Sequence, residues 1–286
     1  MPASIARRGF LAAPLLALPA FADDATSRLA ELERRNGGRL GVAAIDTASG
    51  RRVGHRAEEL FPLCSTFKFL AAAFVLARVD RGEEKLDRRV VFAEKDLVTY
   101  SPVTKQHVGL GGMTMADICE AAVTLSDNTA GNLMLASFGG PAGLTTYARS
   151  LGDRTTRLDR IETELNEAKP GDPRDTTTPV AMLDTMQRLL IGDALSAASR
   201  DQLIGWLLAS KTGARRLRAG IPADWKVGDK TGSGNNGTAN DVAIALPPGR
   251  SPILITAYYT ESTTLSDDAR NKVIEEAGRL AVAGLG

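Results

Sequence analysis

The sequence predicts an α+β fold of two subdomains, in which an antiparallel five-stranded sheet flanked by helices joins an all-helical part. Strand patterns occur near both ends of the 286-residue chain, whereas helical patterns fill the middle. Two turn sequences, Asn235-Asn236-Gly237 and Pro247-Pro248-Gly249, favour hairpins near the C-terminus. We therefore expect strands from both ends to share one sheet, with a cleft where the sheet meets the helices.

The individual elements follow from hydrophobic periodicity and from Gly and Pro punctuation. Helices are predicted at 24–36, 67–79, 115–124, 129–138, 142–151, 180–190, 199–208 and 267–280. Strands are predicted at 40–45, 51–55, 225–229, 241–246 and 253–259. The charged and aperiodic segment 154–177 is expected to be a long loop, structured or disordered, and long loops in compact domains tend to be functional.

The first 22 residues have the pattern of a cleaved secretory signal peptide. Arg7 and Arg8 precede an apolar run that ends at the small-x-small cleavage site Ala20-Phe21-Ala22. The paired arginines favour a twin-arginine signal, and a general export signal is the alternative. We expect a periplasmic or secreted protein whose residues 23–286 form a single domain. Its α/β part is predicted at about 23–56 plus 209–286, and its helical part at about 57–208.

Charge and metal-ligating residues exclude several classes of partner. Loss of Arg7 and Arg8 changes the formal net charge from +1 to −1. Such a chain gives no electrostatic reason to expect binding to nucleic acid or, after leader removal, to a membrane. His55 and His107 are the only histidines, lack ligand spacing and are expected at the surface, so no metal site is predicted. No interface signal is evident, and a monomer is expected.

The segment Ser65-Thr66-Phe67-Lys68 combines a nucleophile with a candidate base. The two functional residues are three positions apart at a helix start, so they share one face, and free backbone N–H groups surround Ser65. Burial on this apolar helix would lower the pKa of Lys68 and suit it to activate the serine. Alone, the pattern is equally typical of a serine cap followed by a solvated lysine.

Two further motifs supply a proton donor and an anion clamp. In Ser126-Asp127-Asn128, between two helices, Ser126 could protonate a leaving nitrogen and Asn128 could bind a substrate amide, although the composition also suits a simple cap and turn. Lys230-Thr231-Gly232 is predicted at a strand end, where Lys230 and Thr231 could clamp a carboxylate. Gly232 would let a ligand approach the strand edge, and the Ser233 N–H could be an oxyanion donor with that of Ser65.

In this order, the three motifs resemble the signature of class A serine β-lactamases. The resemblance continues through 96–104, where Tyr100 is the aromatic residue of the cleft wall, through an omega loop at 160–179, and through a substrate strand and hairpin at 225–241. It implies the fold of β-lactamases and penicillin-binding transpeptidases, and hydrolysis of penicillins and cephalosporins through a Ser65 acyl-enzyme. The implied partners are the β-lactam and water, and no metal or organic cofactor is implied.

The resemblance assigns the loop a role in releasing the product. Glu162 matches the deacylating carboxylate and Asn166 its partner in holding the hydrolytic water, while Arg160 and Asp175 match the pair that ties the loop ends. The base for acylation is either Lys68 or Glu162 acting through a water. Thr163 stands where many members carry a proline in a cis peptide, so the geometry there is left open.

Other positions depart from the common family pattern. Ala239 replaces an arginine that binds the substrate carboxylate in many members, and Arg216 matches the position that supplies this charge in others. Cys64 and Cys119 match halves of family disulfides whose partner positions are Gly234 and Ala72 here, so both thiols are expected to be free.

Two other functions use the same serine chemistry. A D-Ala-D-Ala carboxypeptidase of the penicillin-binding class lacks the loop that carries Glu162. A non-enzymatic β-lactam sensor is expected to carry an anchor or a signalling domain, and the sequence shows neither.

Overall fold

A computed structural model describes residues 23–286, so the predicted signal peptide lies outside the described residues. The strands are β1 (Arg39–Asp46), β2 (Arg52–His55), β3 (Phe61–Pro62), β4 (Arg89–Val90), β5 (Met113–Thr114), β6 (Thr176–Thr177), β7 (Lys226–Gly234), β8 (Thr238–Leu246) and β9 (Ile253–Thr260). The helices are α1 (Asp23–Asn36), α2 (Phe67–Asp80), α3 (Met115–Thr124), α4 (Asn128–Ser137), α5 (Gly140–Ser150), α6 (Pro179–Leu190), α7 (Ala197–Leu208), α8 (Leu217–Gly220) and α9 (Asp267–Leu285).

Strands from both ends of the chain form one antiparallel sheet in the order β2-β1-β9-β8-β7. The predicted five-stranded sheet and the α+β class are therefore confirmed. β7 is an edge strand, so one of its sides has no strand partner. Such an edge can accept an extended ligand through its main chain.

Both faces of the sheet are covered, as alternate side chains of β1 show. Leu40, Val42 and Ala44 enter a core shared with α1 and α9. Ala43 and Ile45 point the other way and enter the larger core of the helical part. This period of two is the normal pleat of a strand. Because α6 packs on this second face against β1 and β9, the helical part and the sheet share a continuous apolar interior.

Helix α2 occupies the centre of the helical part. Ten of its 14 residues are buried, including Lys68 near its start. It packs against α3, α4, α5 and α7, which explains why its sequence is apolar all round. A lysine is stable inside such a core only when polar groups form hydrogen bonds with its amine.

Several boundaries and one burial prediction differ from the sequence analysis. Strand β7 continues to Gly234, so Lys230-Thr231-Gly232 lies within the strand and not at its end. Pairing of Gly232 with Asn240 and of Gly234 with Thr238 outweighs the weak strand propensity of glycine. The final helix runs to Leu285. The expected surface position of His55 is wrong, because its side chain is only 12% exposed.

Candidate active site

Ser65, the candidate nucleophile, lies in a short 3-10 turn, Cys64–Thr66, that leads directly into α2. Its Oγ lies 2.9 Å from the Nζ of Lys68, so the predicted common face is present. Cys64 just before it has a φ of 44°, in the left-handed region that non-glycine residues rarely adopt. Cys64 and Cys119 are both buried and free, as expected. Burial raises the pKa of the Cys64 thiol, which argues against a thiolate beside Ser65.

Lys68 is surrounded by acceptors. Its Nζ lies 2.9 Å from the Ser126 carbonyl oxygen, 2.6 Å from Asn128 Oδ1 and 2.8 Å from Glu162 Oε1, in addition to Ser65 Oγ. Burial lowers the pKa of Lys68, and the charge of Glu162 opposes this shift. An ammonium group has three hydrogens for these four acceptors, whereas a neutral amine has two, so the contacts favour the charged form.

Glu162 is buried and touches the nucleophile. Its Oε1 accepts a hydrogen bond from Ser65 Oγ at 3.0 Å, and its Oε2 accepts one from Asn166 Nδ2. The peptide bond between Glu162 and Thr163 is cis. Asn132 holds the main chain here, because its Oδ1 accepts from Glu162 N at 2.8 Å and its Nδ2 donates to Glu162 O at 2.9 Å.

Asn132 was not identified from the sequence. A signal was available, since it follows Asn128 by four residues on α4 and therefore lies on the same helical face. The sequence does not show that the segment 154–177, which contains Glu162, passes over this face of α4, so Asn132 could not be linked to Glu162.

The ends of the loop are tied together as predicted. Arg160 Nε lies 2.6 Å from Asp175 Oδ2, and Asp175 Oδ1 also accepts from the backbone N–H groups of Asp159 and Arg160. On α5, Thr145 Oγ1 donates to the Leu158 carbonyl and accepts from the Leu158 N–H. The segment 154–177 is thus a structured loop.

Ser126 and Lys230 form a second pair of contacting side chains. Lys230 Nζ donates to Ser126 Oγ at 2.9 Å and to the Thr231 carbonyl at 2.6 Å. Burial, and then the charge of Lys68, lowers the pKa of Lys230 well below its usual range. The Thr231 hydroxyl is 2.7 Å from that of Thr212. An anion placed here would face a buried amine and two hydroxyl groups.

Asn128 links the segment of Thr99 and Tyr100 to Lys68. Its Nδ2 donates to the Thr99 carbonyl at 2.8 Å, its backbone N–H donates to the Tyr100 carbonyl, and its Oδ1 accepts from Lys68. Tyr100 has a φ of 63°, and the residue is 56% exposed. The arrangement leaves an aromatic ring open to a ligand.

One face of β7 lies directly against the turn that carries Ser65. A Cβ atom at Gly232 would be 3.0 Å from the Leu63 carbonyl oxygen and 3.2 Å from Ser65 N, so a side chain here would push the turn away by a few tenths of an ångström. Arg216 supports the same strand: its Nη1 donates to the Gly232 carbonyl and its Nη2 to Ser233 Oγ, both at 2.7 Å. The predicted site residues are therefore brought together around Ser65 and Lys68.

Residues 23–286 show neither a metal site nor a membrane span. In this range no group of three or more His, Cys, Asp and Glu side chains is placed to hold a metal ion. In the same range no helix has the length and apolar character needed to cross a membrane.

Comparison with known proteins assigns the family. The model of the β-lactamase enzyme family matches residues 24–285. β-Lactamase AST-1 of Nocardia asteroides is 53% identical, over 92% of this chain and 84% of its own length. The carbapenem-hydrolysing β-lactamase KPC of Klebsiella oxytoca is 50% identical, over 90% and 87%.

A solved structure of an ancestral (GNCA) class A β-lactamase shares 64% identity and superimposes with a TM-score of 0.89, covering 91% of this chain and 99% of that one. Sequence, fold and site geometry thus agree with the predicted resemblance. The chain belongs to the β-lactamase enzyme family, and it is a class A enzyme that hydrolyses β-lactams.

Proposed function

We propose that the enzyme opens the β-lactam ring of penicillins and cephalosporins through a Ser65 acyl-enzyme, which a Glu162-activated water then hydrolyses. One observation carries the proposal. The buried carboxylate of Glu162 lies within hydrogen-bonding distance of both the Ser65 hydroxyl, at 3.0 Å, and the Lys68 amine, at 2.8 Å. A carboxylate in this position can accept a proton from the Ser65 hydroxyl during acylation and from a water during deacylation.

The substrate binds along the open edge of β7. Lys230, Thr231 and Arg216 are the groups that receive its carboxylate, because they bring two basic side chains and a hydroxyl to one end of the cleft. Asn128 receives the side-chain amide, and Tyr100 covers the ligand from the exposed rim. Gly232 lets the turn that carries Ser65 lie close to this strand.

In acylation the Ser65 Oγ adds to the lactam carbonyl carbon. The developing oxyanion accepts hydrogen bonds from the N–H groups of Ser65 and Ser233. Because Lys68 has an acceptor for every hydrogen and Ser65 Oγ donates to Glu162 Oε1, the contacts favour Glu162, directly or through a water, as first acceptor of the serine proton. Lys68 then stabilises the oxygen of the nucleophile as a cation.

Ring opening breaks the bond between the carbonyl carbon and the lactam nitrogen. The nitrogen takes its proton from Ser126 Oγ, which the Lys230 amine contacts at 2.9 Å. Lys68, whose amine contacts both Glu162 Oε1 and the Ser126 carbonyl, passes the proton that Glu162 took from Ser65 on to Ser126 Oγ, so Glu162 is a carboxylate again before deacylation begins. The product of this half-reaction is an ester on Ser65 with the ring nitrogen protonated.

Deacylation uses the loop. A water between Glu162 and Asn166 loses a proton to the carboxylate and adds to the ester carbonyl, and Ser65 leaves with a proton returned from Glu162. Asn166 Oδ1 is buried and has no hydrogen-bond partner among the described residues, so it is free to accept from that water. The penicilloate or cephalosporoate product is released with the serine regenerated.

Single substitutions test the proposal. Glu162→Gln keeps the shape of the side chain but removes the base that activates the hydrolytic water. Loss of the Glu162 charge also leaves burial unopposed in lowering the pKa of Lys68, so a neutral Lys68 amine can still accept the Ser65 proton, more slowly. We therefore expect a stable penicillin adduct by intact-protein mass spectrometry. Ser65→Ala should form no adduct. Unchanged turnover of a chromogenic cephalosporin by Glu162→Gln would contradict the assigned role. A D-Ala-D-Ala carboxypeptidase would instead release D-Ala from an acyl-D-Ala-D-Ala peptide. A β-lactam sensor would cleave one equivalent of the chromogenic cephalosporin in a single burst and then stop, even in the wild-type protein.

The predicted processing and assembly belong to the same proposal. Export with removal of residues 1–22 would give a periplasmic or secreted enzyme, and N-terminal sequencing of the mature protein tests the cleavage point. The single domain spanning 23–286 should unfold in one cooperative transition. Light scattering at micromolar concentration should give the mass of a monomer.

A further inference from the structure

Asn240 lies directly behind the proposed oxyanion site and has no assigned role. It is fully buried on β8 and pairs in register with Gly232 on β7, so both residues face the same side of the sheet. Its Nδ2 donates to the Pro62 carbonyl at 2.8 Å and reaches the Leu63 carbonyl at 3.3 Å. These carbonyls belong to the segment that leads into Ser65.

The orientation of the amide is dictated by its surroundings. Both atoms facing the amide are carbonyl oxygens, which only the NH₂ end can satisfy. Oδ1 of Asn240 is buried and has no partner among residues 23–286. The side chain is therefore held by its donor end alone, and an unpartnered buried oxygen is tolerated for this attachment.

Asn240 and Gly232 act on the same interface from adjacent strands. Gly232 has no side chain, which lets the turn approach β7 until its Cβ position would be 3.2 Å from Ser65 N. Asn240 supplies the bond that pulls the preceding residues onto the sheet. Its own carbonyl oxygen also accepts from Arg216 Nη1 at 2.7 Å, which links the substrate-carboxylate end of the cleft to the same residue.

We propose that Asn240 is a positioning residue that sets the separation of the two oxyanion donors, Ser65 N–H and Ser233 N–H, by fixing the Pro62–Leu63 backbone to β8. The inference rests on the proposed function, because it presumes the Ser65 acyl-enzyme and its oxyanion site. One donor is carried by the turn and the other by β7, and the Asn240 side chain is a direct hydrogen-bonded link between the sheet and the residues just before the turn. A loose link would misplace one donor relative to the other.

The test uses Asn240→Leu, which keeps the branched shape but removes the donor. Thr256→Val is the matched control: Thr256 is also fully buried on the sheet, on β9, and its Oγ1 donates to the Pro179 carbonyl at 2.9 Å, away from the nucleophile. Both variants lose a buried side-chain bond to a backbone carbonyl. Urea unfolding establishes that each is folded, and Asn240→Ala serves as a second variant if the leucine is not accommodated.

Two measurements separate positioning from stability. Removal of an oxyanion donor lowers rates about 100- to 1,000-fold, so misplacement of one donor should lower the acylation rate constant about 10- to 100-fold in Asn240→Leu, with less than threefold loss in Thr256→Val. The second measurement is infrared spectroscopy of the acyl-enzyme in a Glu162→Gln background. We expect the ester carbonyl band at higher wavenumber with Asn240→Leu than without it, because weaker hydrogen bonds polarise the carbonyl less.

Each outcome has a defined meaning. An unshifted carbonyl band together with an acylation rate matching Thr256→Val overturns the role of Asn240. If the Glu162→Gln single variant, with Asn240 intact, forms no penicillin adduct, the proposed function is overturned instead. A shifted band and slowed acylation, with folding intact, support the inference.

Discussion

The clamp between Asn132 and Glu162 gives the sharpest test of how the loop works. Asn132→Leu keeps the shape of the side chain but removes its two hydrogen bonds to the Glu162 backbone, of 2.8 and 2.9 Å. Each lost bond costs about 1 kcal/mol net, and unsatisfied backbone groups add to this, so the free energy of unfolding should fall by about 2–4 kcal/mol. The Glu162 carboxylate remains, but the peptide that aims it is released.

The kinetic consequence should fall on deacylation. A shift of about 1 Å in a positioned group can lower a rate about 100-fold, so we expect release of the Ser65 ester to slow by about 10- to 100-fold. Rapid-quench mass spectrometry with benzylpenicillin should then show the acyl-enzyme as the main species in the steady state. The wild-type enzyme should show little adduct under the same conditions.

Thr145→Val is the matched control for this prediction. Thr145 clamps both backbone groups of Leu158, at the start of the same loop, through the same number of hydrogen bonds. We expect a comparable loss of stability with near-normal deacylation. If Asn132→Leu deacylates as fast as Thr145→Val, the Asn132 clamp does not position Glu162 and the reasoning is refuted.

Two further predictions concern buried groups near β7. Burial, and then the charge of Asp229, raises the pKa of Asp241 well above its usual range, so the folded state holds this proton more tightly than the unfolded state and stability falls as pH rises. Asp241→Asn should therefore gain stability relative to wild type as pH rises above about 4, the ordinary range of the carboxyl. Urea titrations that give a pH-independent difference between the two proteins would contradict this. In Gly234→Cys the new Cβ would lie 2.7 Å from Cys64 Sγ, so oxidation should form a disulfide. The bond would close a loop of about 170 residues and raise the free energy of unfolding by up to about 5 kcal/mol. The cost of moving the Asn166 carbonyl, which lies 2.7 Å from the same Cβ, reduces this gain. Thiol titration of the denatured variant should then find only Cys119, and three free thiols would contradict the prediction.

The parts predicted from sequence are those that local pattern determines. Helix α2 is apolar on all sides, which indicates burial, and three-residue spacing is enough to bring Ser65 and Lys68 together. The hairpin turns near the C-terminus likewise indicated neighbouring strands, and β7, β8 and β9 are paired in sequence order. Local rules suffice here because tertiary contacts agree with them.

The parts that escaped prediction depend on distant backbone. Lys230-Thr231-Gly232 contains residues typical of a turn, and only its pairing with β8 keeps it extended. Asn132 and Asn240 appear as ordinary polar residues in a helix and a strand. Their partners are main-chain groups 30 and 178 residues away, and no pattern in sequence reveals which carbonyl a side chain will meet.

These two asparagines explain why the motifs alone describe the chemistry incompletely. The motifs supply the reacting side chains, but the oxyanion site and the aim of Glu162 depend on main-chain atoms. Asn132 fixes the backbone of the loop to the helical part, and Asn240 fixes the backbone before Ser65 to the sheet. A chain with all the motif residues and without these two attachments should still bind a β-lactam, yet it should acylate and deacylate slowly, because preorganisation of backbone groups is where the catalytic advantage arises.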